Sequence, residues 1–308
     1  GITAAAFDFF LLIFYSQVVG LDARLVGLAI LISLVCDALS DPVVGYWSDN
    51  LRSRWGRRHP FLYASAIPLA ASYYFLWTPP VNASQTVLFW YLVTLAVIVR
   101  TAITFYRTPA SALVPELTPD YHERTALYSL RYFLAWVGGN AVSVWAFAVL
   151  FPMFVTAAIA DGRFNRDAYP IYGLVGALAI LLSILVSAAG THARIPYLKS
   201  APPPRRLTMR LMFGELIETF SNRSFLSLFI AAMLAAIAGG LAAGLSLYFL
   251  TYFWGFDERQ TGAIFIGTFV AAGIGLVLAP FVSRKLGKKR GAIIVGLLAF
   301  GGAPVPII

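Results

Sequence analysis

The sequence predicts an all-α polytopic membrane protein. Of its 308 residues, 59% are hydrophobic and only 12% are charged, whereas ordinary soluble domains carry about 25% charged residues. The apolar residues form runs long enough to cross a bilayer, which takes about 20 helical residues. The basic residues, which give a net charge of +9, lie in short loops between these runs. They therefore indicate membrane topology, and nucleic acid is not a predicted partner.

Successive apolar segments predict about nine transmembrane helices, at 2–19, 25–48, 61–78, 86–113, 126–157, 170–190, 225–254, 260–282 and 291–308. Because apolar sequence reaches both ends, we expect a truncated fragment. The predicted parts are an N-terminal six-helix bundle (1–190), a central cytoplasmic loop with an amphipathic helix (191–224), and the start of a C-terminal bundle with helices seven to nine (225–308).

The loops on one side of the predicted membrane are more basic than those on the other. Residues 49–60, 114–125, 191–224 and 283–290 hold four, one, six and five lysines or arginines, whereas the opposite loops hold Arg24, Arg163, Arg166 and Arg259. The positive-inside rule places loop 49–60 in the cytoplasm. We expect a monomeric, multi-pass protein of a cell membrane, with a bacterial inner membrane as the narrower prediction.

An internal repeat predicts how the helices are arranged. The segment FYSQVVGLDARLVG at 14–27 matches FLTYFWGFDERQTG at 249–262, with identical residues at the positions of Phe14, Gly20, Asp22, Arg24 and Gly27. Both copies run in the same direction, which is the pattern of two parallel six-helix halves. The buried acids of the first half have no acidic counterpart in the second.

Two acids lie inside the second apolar segment. Asp37 and Asp41 are one helical turn apart, so their carboxylates share a face about 5–6 Å apart. Pro42 has no N–H to donate, which leaves the carbonyl of Ala38 available beside them. Because a buried charge costs about 2.5–3.5 kcal/mol in a bilayer, the pair predicts a site neutralised by a small cation or a shared proton. Alternatively, Asp41-Pro42 is only a kink and Asp37 pairs with a basic side chain of another helix.

Three further charged residues lie within apolar segments. Asp8 could accept hydrogen bonds from hydroxyl groups of a solute, or pair with an arginine. Arg107 offers a planar fork that suits a carboxylate on a solute, or it pairs with one of the two acids. Arg100, one turn from Thr104, is either a partner of Asp8 or a pocket residue.

The loop after the second segment carries the string G-x-x-x-D-x-x-x-x-R-x-G-R-R, formed by Gly45, Asp49, Arg54, Gly56, Arg57 and Arg58. Together with DALSDPVVG and PASALVPELTPDYHERT, this string resembles the glycoside-pentoside-hexuronide:cation symporters of the major facilitator superfamily. The resemblance covers the whole chain and implies the major facilitator fold. It also implies that Na⁺, Li⁺ or H⁺ is coordinated by Asp37, Ser40, Asp41 and Thr104.

The sequence departs from this family at the expected sugar site. The family's sugar transporters carry an aspartate at the position of Arg107 and an aromatic residue at that of Ser111. Their sugar-binding aspartate aligns with Gly1, and Asp8 stands one to two turns further along. Arg131 has an arginine counterpart that contributes to the pocket. The predicted solute-binding residues are therefore Asp8, Arg107, Ser111 and Arg131.

Together these observations predict a cation-coupled (Na⁺ or H⁺) secondary symporter of a sugar or glycoside, with an acidic sugar as the narrower prediction. Two halves are expected to alternate about a central site, with the loop string as a cytoplasmic gate unless its arginines only set topology. The alternatives are a carrier of an amphiphile such as a lysophospholipid, a membrane-embedded enzyme and a passive channel. The sequence contains no nucleophile elbow, HExxH motif or Cys/His metal spacing. We therefore expect no enzymatic activity, no cofactor, and no metal beyond the transported cation.

Overall fold

A computed structural model describes residues 1–198, 218, 220–257 and 259–268, together with individual residues between 270 and 297. These residues form helices joined by short loops. The amphipathic helix predicted within 191–224 lies almost entirely outside the described residues, as does most of the ninth predicted segment.

Seven helices are described in full: α1 Ile2–Val18, α2 Ala23–Asn50, α3 His59–Leu76, α4 Gln85–Leu117, α5 Tyr121–Trp145 with a continuation to Met153, α6 Ala168–His192, and α7 Arg223–Tyr248 with a continuation to Phe253. Residues 259–268 are also helical. These helices coincide with the predicted segments to within a few residues, except before α5. There α4 continues to Leu117 and α5 already begins at Tyr121, which shortens the predicted loop 114–125 to residues 118–120.

Five of these helices are long and apolar enough to cross a membrane, judged by length and composition: α2, α4, α5 from Ala126 onward, α6 and α7. Helix α1 is apolar but shorter. Helix α3 has 18 residues, and its tyrosines, its prolines and His59 lower its hydropathy. It nevertheless packs against both α4 and α6, while α2 packs along α4, and α1 contacts α5 and α7. The prediction of an all-α polytopic membrane protein is confirmed.

A buried aromatic core joins α1, α3 and α6. The rings of Phe14 and Tyr169 stack with their centroids 4.0 Å apart. The hydroxyl of the fully buried Tyr15 donates to the carbonyl of Leu76 at 2.8 Å, which satisfies the polar end of this ring. By the predicted topology this core lies at the outer end of the bundle, opposite loop 49–60.

The internal repeat is reproduced in the backbone. Helix α1 ends in the π-helical turn Phe14–Val18, and α7 continues into the π-helical turn Phe249–Phe253, which occupies the equivalent positions of the repeat. In each copy a glycine with positive φ follows, at +84° for Gly20 and +66° for Gly255. Glycine adopts this conformation without the steric cost of a side chain.

The hydrogen bonds around these glycines also correspond. The amide after each glycine donates to a carbonyl in the π-helical turn at 2.9 Å, from Leu21 to Tyr15 and from Phe256 to Leu250. An aspartate then accepts a backbone amide at the start of the next helix, at 2.7 Å for Asp22 and 2.8 Å for Asp257, as N-cap residues do. The same sequence motif thus builds the same local structure twice.

One side-chain contact joins equivalent positions of the two copies. The hydroxyl of Tyr252 donates to Oε1 of Gln17 at 3.0 Å, and these two residues align with each other in the repeat. In a pseudo-two-fold arrangement, equivalent residues meet at the symmetry axis. The axis between the two copies therefore passes between the ends of α1 and α7.

Two glycines of α6 allow that helix to approach α3, and Trp77 just after α3, closely. A Cβ added at Gly173 would lie 2.8 Å from the Cβ of Trp77, and one at Gly176 would lie 2.5 Å from Cε1 of Tyr73. Gly190, on the same helix, has no such neighbour within 4 Å.

We expect Gly173→Val to lower the thermal stability of the detergent-solubilised protein, because overpacking a filled interface costs about 1–3 kcal/mol. Gly190→Val is the matched control, since it makes the same change where there is space. Melting midpoints followed by intrinsic fluorescence measure the difference. Equal midpoints for the two variants would contradict the packing of α6 on α3.

Candidate functional site

The predicted acids face α4 from the middle of α2. Helix α2 stays helical through Pro42, so Asp37 and Asp41 project from one face, one turn apart. Because α2 packs along α4, this face meets Thr104, which is only 2% exposed. The α2–α4 contact therefore assembles the predicted cation ligands.

The Thr104 hydroxyl lies between the two carboxylates. Its Oγ1 is 2.9 Å from Oδ1 of Asp37 and 2.9 Å from Oδ1 of Asp41. A hydroxyl has one hydrogen and two acceptor lone pairs, so Thr104 donates to one carboxylate at a time. The oxygen of the other carboxylate then faces a lone pair of the Thr104 hydroxyl, which is unfavourable. A proton or a cation between these two oxygens would make the contact favourable. Oxygens of three residues thus converge at one point.

Ser40, the fourth predicted ligand, lies on the same turn of α2. Its hydroxyl donates to the backbone carbonyl of Asp37 at 3.0 Å, so its oxygen lone pairs are what it can offer to a cation. The side chains of Asp37, Asp41 and Thr104 therefore meet directly, whereas Ser40 is joined to them through the backbone.

A guanidinium group stands beside the other oxygen of Asp37. Nη1 of Arg100 lies 3.6 Å from Oδ2 of Asp37, and Nε of Arg100 donates to Oγ of Ser33 at 3.0 Å. Its guanidinium carbon lies 4.7 Å from the centre of the Phe7 ring, which is within cation–π range. The ion pair considered as the alternative role of Asp37 is thus present in addition to its contact with Thr104.

The predicted solute-binding residues occupy two places. Asp8 lies in the π-helical turn Ala6–Phe10 of α1 and interacts electrostatically with Arg100. Arg107, Ser111 and Arg131 come together at another point. The carbonyl of Arg107 accepts from the Ser111 hydroxyl at 2.7 Å and from Nη2 of Arg131 at 3.4 Å.

The side chain of Arg107 is exposed. Within the described part of the chain it forms no ion pair, so the alternative pairing with Asp37 or Asp41 is absent. Arg107 follows Thr104 by three residues and Arg100 precedes it by four, so all three lie on one face of α4. The hydroxyl at the cation site therefore has one arginine on either side along the helix.

A cluster of charges joins the predicted cytoplasmic ends of α2 and α4. Nη2 of Arg58 lies 3.1 Å from Oδ1 of Asp49 and 2.6 Å from Oε1 of Glu116, and Nη2 of Arg57 is 2.6 Å from the same Glu116 oxygen. The side chains of Arg58 and Glu116 are only 6% and 7% exposed. The sequence analysis did not single out Glu116. The signal that could have identified it is an acid at the predicted cytoplasmic end of α4, on the same side of the membrane as the four arginines of loop 49–60.

The other predicted gate residues differ in their roles. Gly56 has a φ of +71°, which allows the tight turn before Arg57 and Arg58. Gly45 lies where α2 meets Thr108 of α4, and an added Cβ would make an ordinary contact at 3.6 Å. Arg54 is exposed and lies outside the cluster.

A second buried arginine lies at the opposite end of the bundle. Arg163, between α5 and α6, is 4% exposed and pairs with Asp161 at 2.5 Å. It also donates to Oγ1 of Thr251 at 3.0 Å and to the carbonyl of Phe256 at 2.9 Å. Thr251 and Phe256 belong to the second copy of the repeat. Arg163 therefore connects the loop between α5 and α6 to the second copy at the outer end, whereas the described contacts of the cytoplasmic cluster join residues of the first half.

Several known proteins are similar to this chain. An uncharacterised symporter of Synechocystis is 36% identical over 188 residues, which is 59% of this chain and 32% of that protein. A putative glycoside/cation symporter of Escherichia coli is 36% identical over 136 residues, or 44% of this chain and 29% of that protein. The isoprimeverose transporter of Lactiplantibacillus pentosus is 22% identical over 296 residues, or 95% of this chain and 58% of that protein. The chain thus spans less than two thirds of each relative.

The family comparison covers the chain in full. The sequence model of a family described as MFS/sugar transport protein matches residues 1–308. This match agrees with the all-helical architecture, the duplicated helix ends and the resemblance carried by the motif strings. The chain belongs to the MFS/sugar transport protein family of the major facilitator superfamily, as its resemblance to the glycoside-pentoside-hexuronide:cation symporters predicts.

Proposed function

We propose that the protein is a cation-coupled secondary symporter that moves a sugar or glycoside by alternating access. The observation that carries this proposal is the convergence of Asp37, Asp41 and Thr104 between two membrane-spanning helices. Ionised carboxylates within a bilayer mark ion pathways and proton relays, because their charge must be neutralised there. The coupling ion is Na⁺ or H⁺, and the solute crosses without chemical change, so the protein is not an enzyme and needs no cofactor.

The solute site comprises Asp8, Arg107, Ser111 and Arg131. Carboxylate and hydroxyl groups can bind the hydroxyls of a sugar, and the printed names of two relatives refer to a glycoside and to isoprimeverose. The exposed guanidinium of Arg107 adds a planar fork that suits a carboxylate. The narrower proposal is therefore an acidic sugar or glycoside.

A second candidate solute is an amphiphile. A chicken protein named sodium-dependent lysophosphatidylcholine symporter 1 is 25% identical over 224 residues, or 62% of this chain and 41% of that protein. The charged groups of Asp8, Arg107 and Arg131 favour a polar solute over a long acyl chain. Competition for uptake between sugars and lysophospholipids separates the two candidates.

The proposed setting is a bacterial inner membrane, with loop 49–60 in the cytoplasm and the protein acting as a monomer. Two six-helix bundles, beginning at 1–190 and 225–308 and joined by 191–224, would rock about the central site. The cluster around Arg58 would act as the cytoplasmic gate and stabilise the outward-facing state. Arg163 would hold the outer ends together, so its contacts must open before solute enters from outside.

We expect Asp37→Asn and Asp41→Asn each to abolish gradient-driven accumulation. Loss of a charged ligand weakens binding by about 1.5–3 kcal/mol, which is about tenfold or more. Uptake by the full-length protein in vesicles, with a panel of sugars and imposed Na⁺ or H⁺ gradients, measures this effect. Asp167→Asn, an exposed position before α6, is the control. Normal concentrative uptake by the double variant would refute the cation site.

We expect Arg163→Gln to open the outer side, because it removes the charge that pairs with Asp161 and joins the first half to the second copy of the repeat. The readout is labelling of a cysteine at Phe9, in a background where Cys36 is replaced by alanine, by a membrane-impermeant thiol reagent. Labelling from outside should become several-fold faster in Arg163→Gln, whereas Asp49→Asn should accelerate labelling only from the cytoplasmic side. An unchanged labelling rate in Arg163→Gln would contradict the gating role of Arg163, and an unchanged rate in Asp49→Asn would contradict that of loop 49–60.

We expect Arg107→Gln to impair uptake of an acidic sugar far more than that of a neutral one. A charge-assisted hydrogen bond is worth about 1.5–3 kcal/mol, so the apparent KM for the acidic solute should rise about tenfold or more. Cation binding should be retained, and the exposed Arg24→Gln serves as the control. If only neutral sugars are transported and Arg107→Gln is harmless, the acidic-solute proposal is wrong.

A further inference from the structure

Arg100 occupies a defined position at the proposed cation site. The Thr104 hydroxyl contacts Oδ1 of Asp37, whereas Arg100 faces Oδ2 of the same carboxylate. The two oxygens of Asp37 therefore have different partners. One oxygen belongs to the converging ligands, and the other is turned toward a permanent positive charge.

Contacts away from the acids hold the guanidinium in place. Ser33 donates its own hydroxyl hydrogen to the carbonyl of Ile30 at 2.7 Å, which leaves its oxygen to accept from Nε of Arg100 at 3.0 Å. The Phe7 ring covers the guanidinium at 4.7 Å. The closest approach to Asp37 is 3.6 Å, longer than the 2.7–2.9 Å of a charge-assisted hydrogen bond. Arg100 therefore acts on Asp37 by its charge, without occupying the oxygens that meet at Thr104.

This position changes the net charge that an entering ion meets. Two ionised carboxylates carry two negative charges, and an arginine stays protonated in proteins. With Arg100 beside them the group carries a net charge of −1. One monovalent cation brings it to zero, whereas a divalent cation leaves an excess positive charge inside the membrane, which is costly.

We propose that Arg100 determines the specificity of the cation site by setting its charge to −1, so that the site accepts one monovalent cation and rejects divalent cations. This inference rests on the proposed function of Asp37 and Asp41. The charged groups facing Arg100 are Asp37 on α2, Asp8 on α1 and Arg107 on its own helix. Asp8 and Arg107 carry opposite charges, so together they leave the net charge of the group at −1.

The test compares cation binding by the purified full-length protein and its Arg100→Gln variant. The shift of the melting midpoint is measured as NaCl, LiCl or CaCl₂ is added at constant ionic strength. The part of this shift that disappears in Asp37→Asn is the response specific to the site. Wild type should respond to a monovalent ion and not to Ca²⁺. In Arg100→Gln, the apparent affinity for Ca²⁺ relative to Na⁺ should rise about tenfold or more. Arg100→Lys keeps the charge and should keep the wild-type preference, as should Arg24→Gln.

A charge-compensated variant keeps the inference testable if Arg100→Gln folds poorly. Asp41→Asn alone brings the site to zero charge and should not respond to monovalent cations. Adding Arg100→Gln to Asp41→Asn restores a charge of −1, so part of the monovalent response should return. An unchanged cation preference in Arg100→Gln, or no recovery in the double variant, would overturn the inference. If wild type shows no Asp37-dependent response to Na⁺, Li⁺ or lowered pH, the proposed function itself fails.

Discussion

The contact of α2 with α4 is the constraint on which the site depends. It places the hydroxyl of Thr104 at 2.9 Å from an oxygen of each of two carboxylates. Two like charges one turn apart are unfavourable within a membrane unless a positive charge compensates them. Every other feature of the site follows from how this charge is balanced. Arg100 balances part of it permanently, and in the proposed function the coupling ion balances the remainder.

The two ends of the bundle are held together differently. At the predicted cytoplasmic end, Glu116 is buried with Arg57 and Arg58, and these described contacts join α4 to the loop after α2 within the first half. At the outer end, the Gln17–Tyr252 pair connects the first copy of the repeat to the second, and Arg163 connects the loop between α5 and α6 to the second copy. Buried charged groups of this kind are expensive to separate singly. The described polar contacts between the two halves therefore lie at the outer end.

The repeat links the sequence to this arrangement. The aligned residues around Gly20 and Gly255 are mainly those that the backbone requires: a glycine with positive φ and an aspartate that caps the next helix. The acids Asp8, Asp37 and Asp41 correspond under the same shift in residue number to Ala243, Ala272 and Leu276. Duplication thus preserved the helix ends, which both halves need in order to turn at the membrane surface, whereas the positions of these three acids differ between the halves.

Sequence alone was sufficient to predict the helices, the duplication and the acid pair, because these follow from local periodicity and hydropathy. The orientation of the helices in the membrane stays a prediction from the distribution of charge. The contact of Asp37 and Asp41 with Thr104 was expected only from the family resemblance, and the structure forms it. Three assignments needed the tertiary structure: the pairing of Asp37 with Arg100, the place of Glu116 at the centre of the cytoplasmic cluster, and the bridge from Arg163 to Thr251. Each joins residues far apart in the chain, and many charged residues of suitable sign could have served as partners. The packing of the helices decides which of them meet, because a side chain reaches only the neighbours that helix position and rotation bring within a few ångströms.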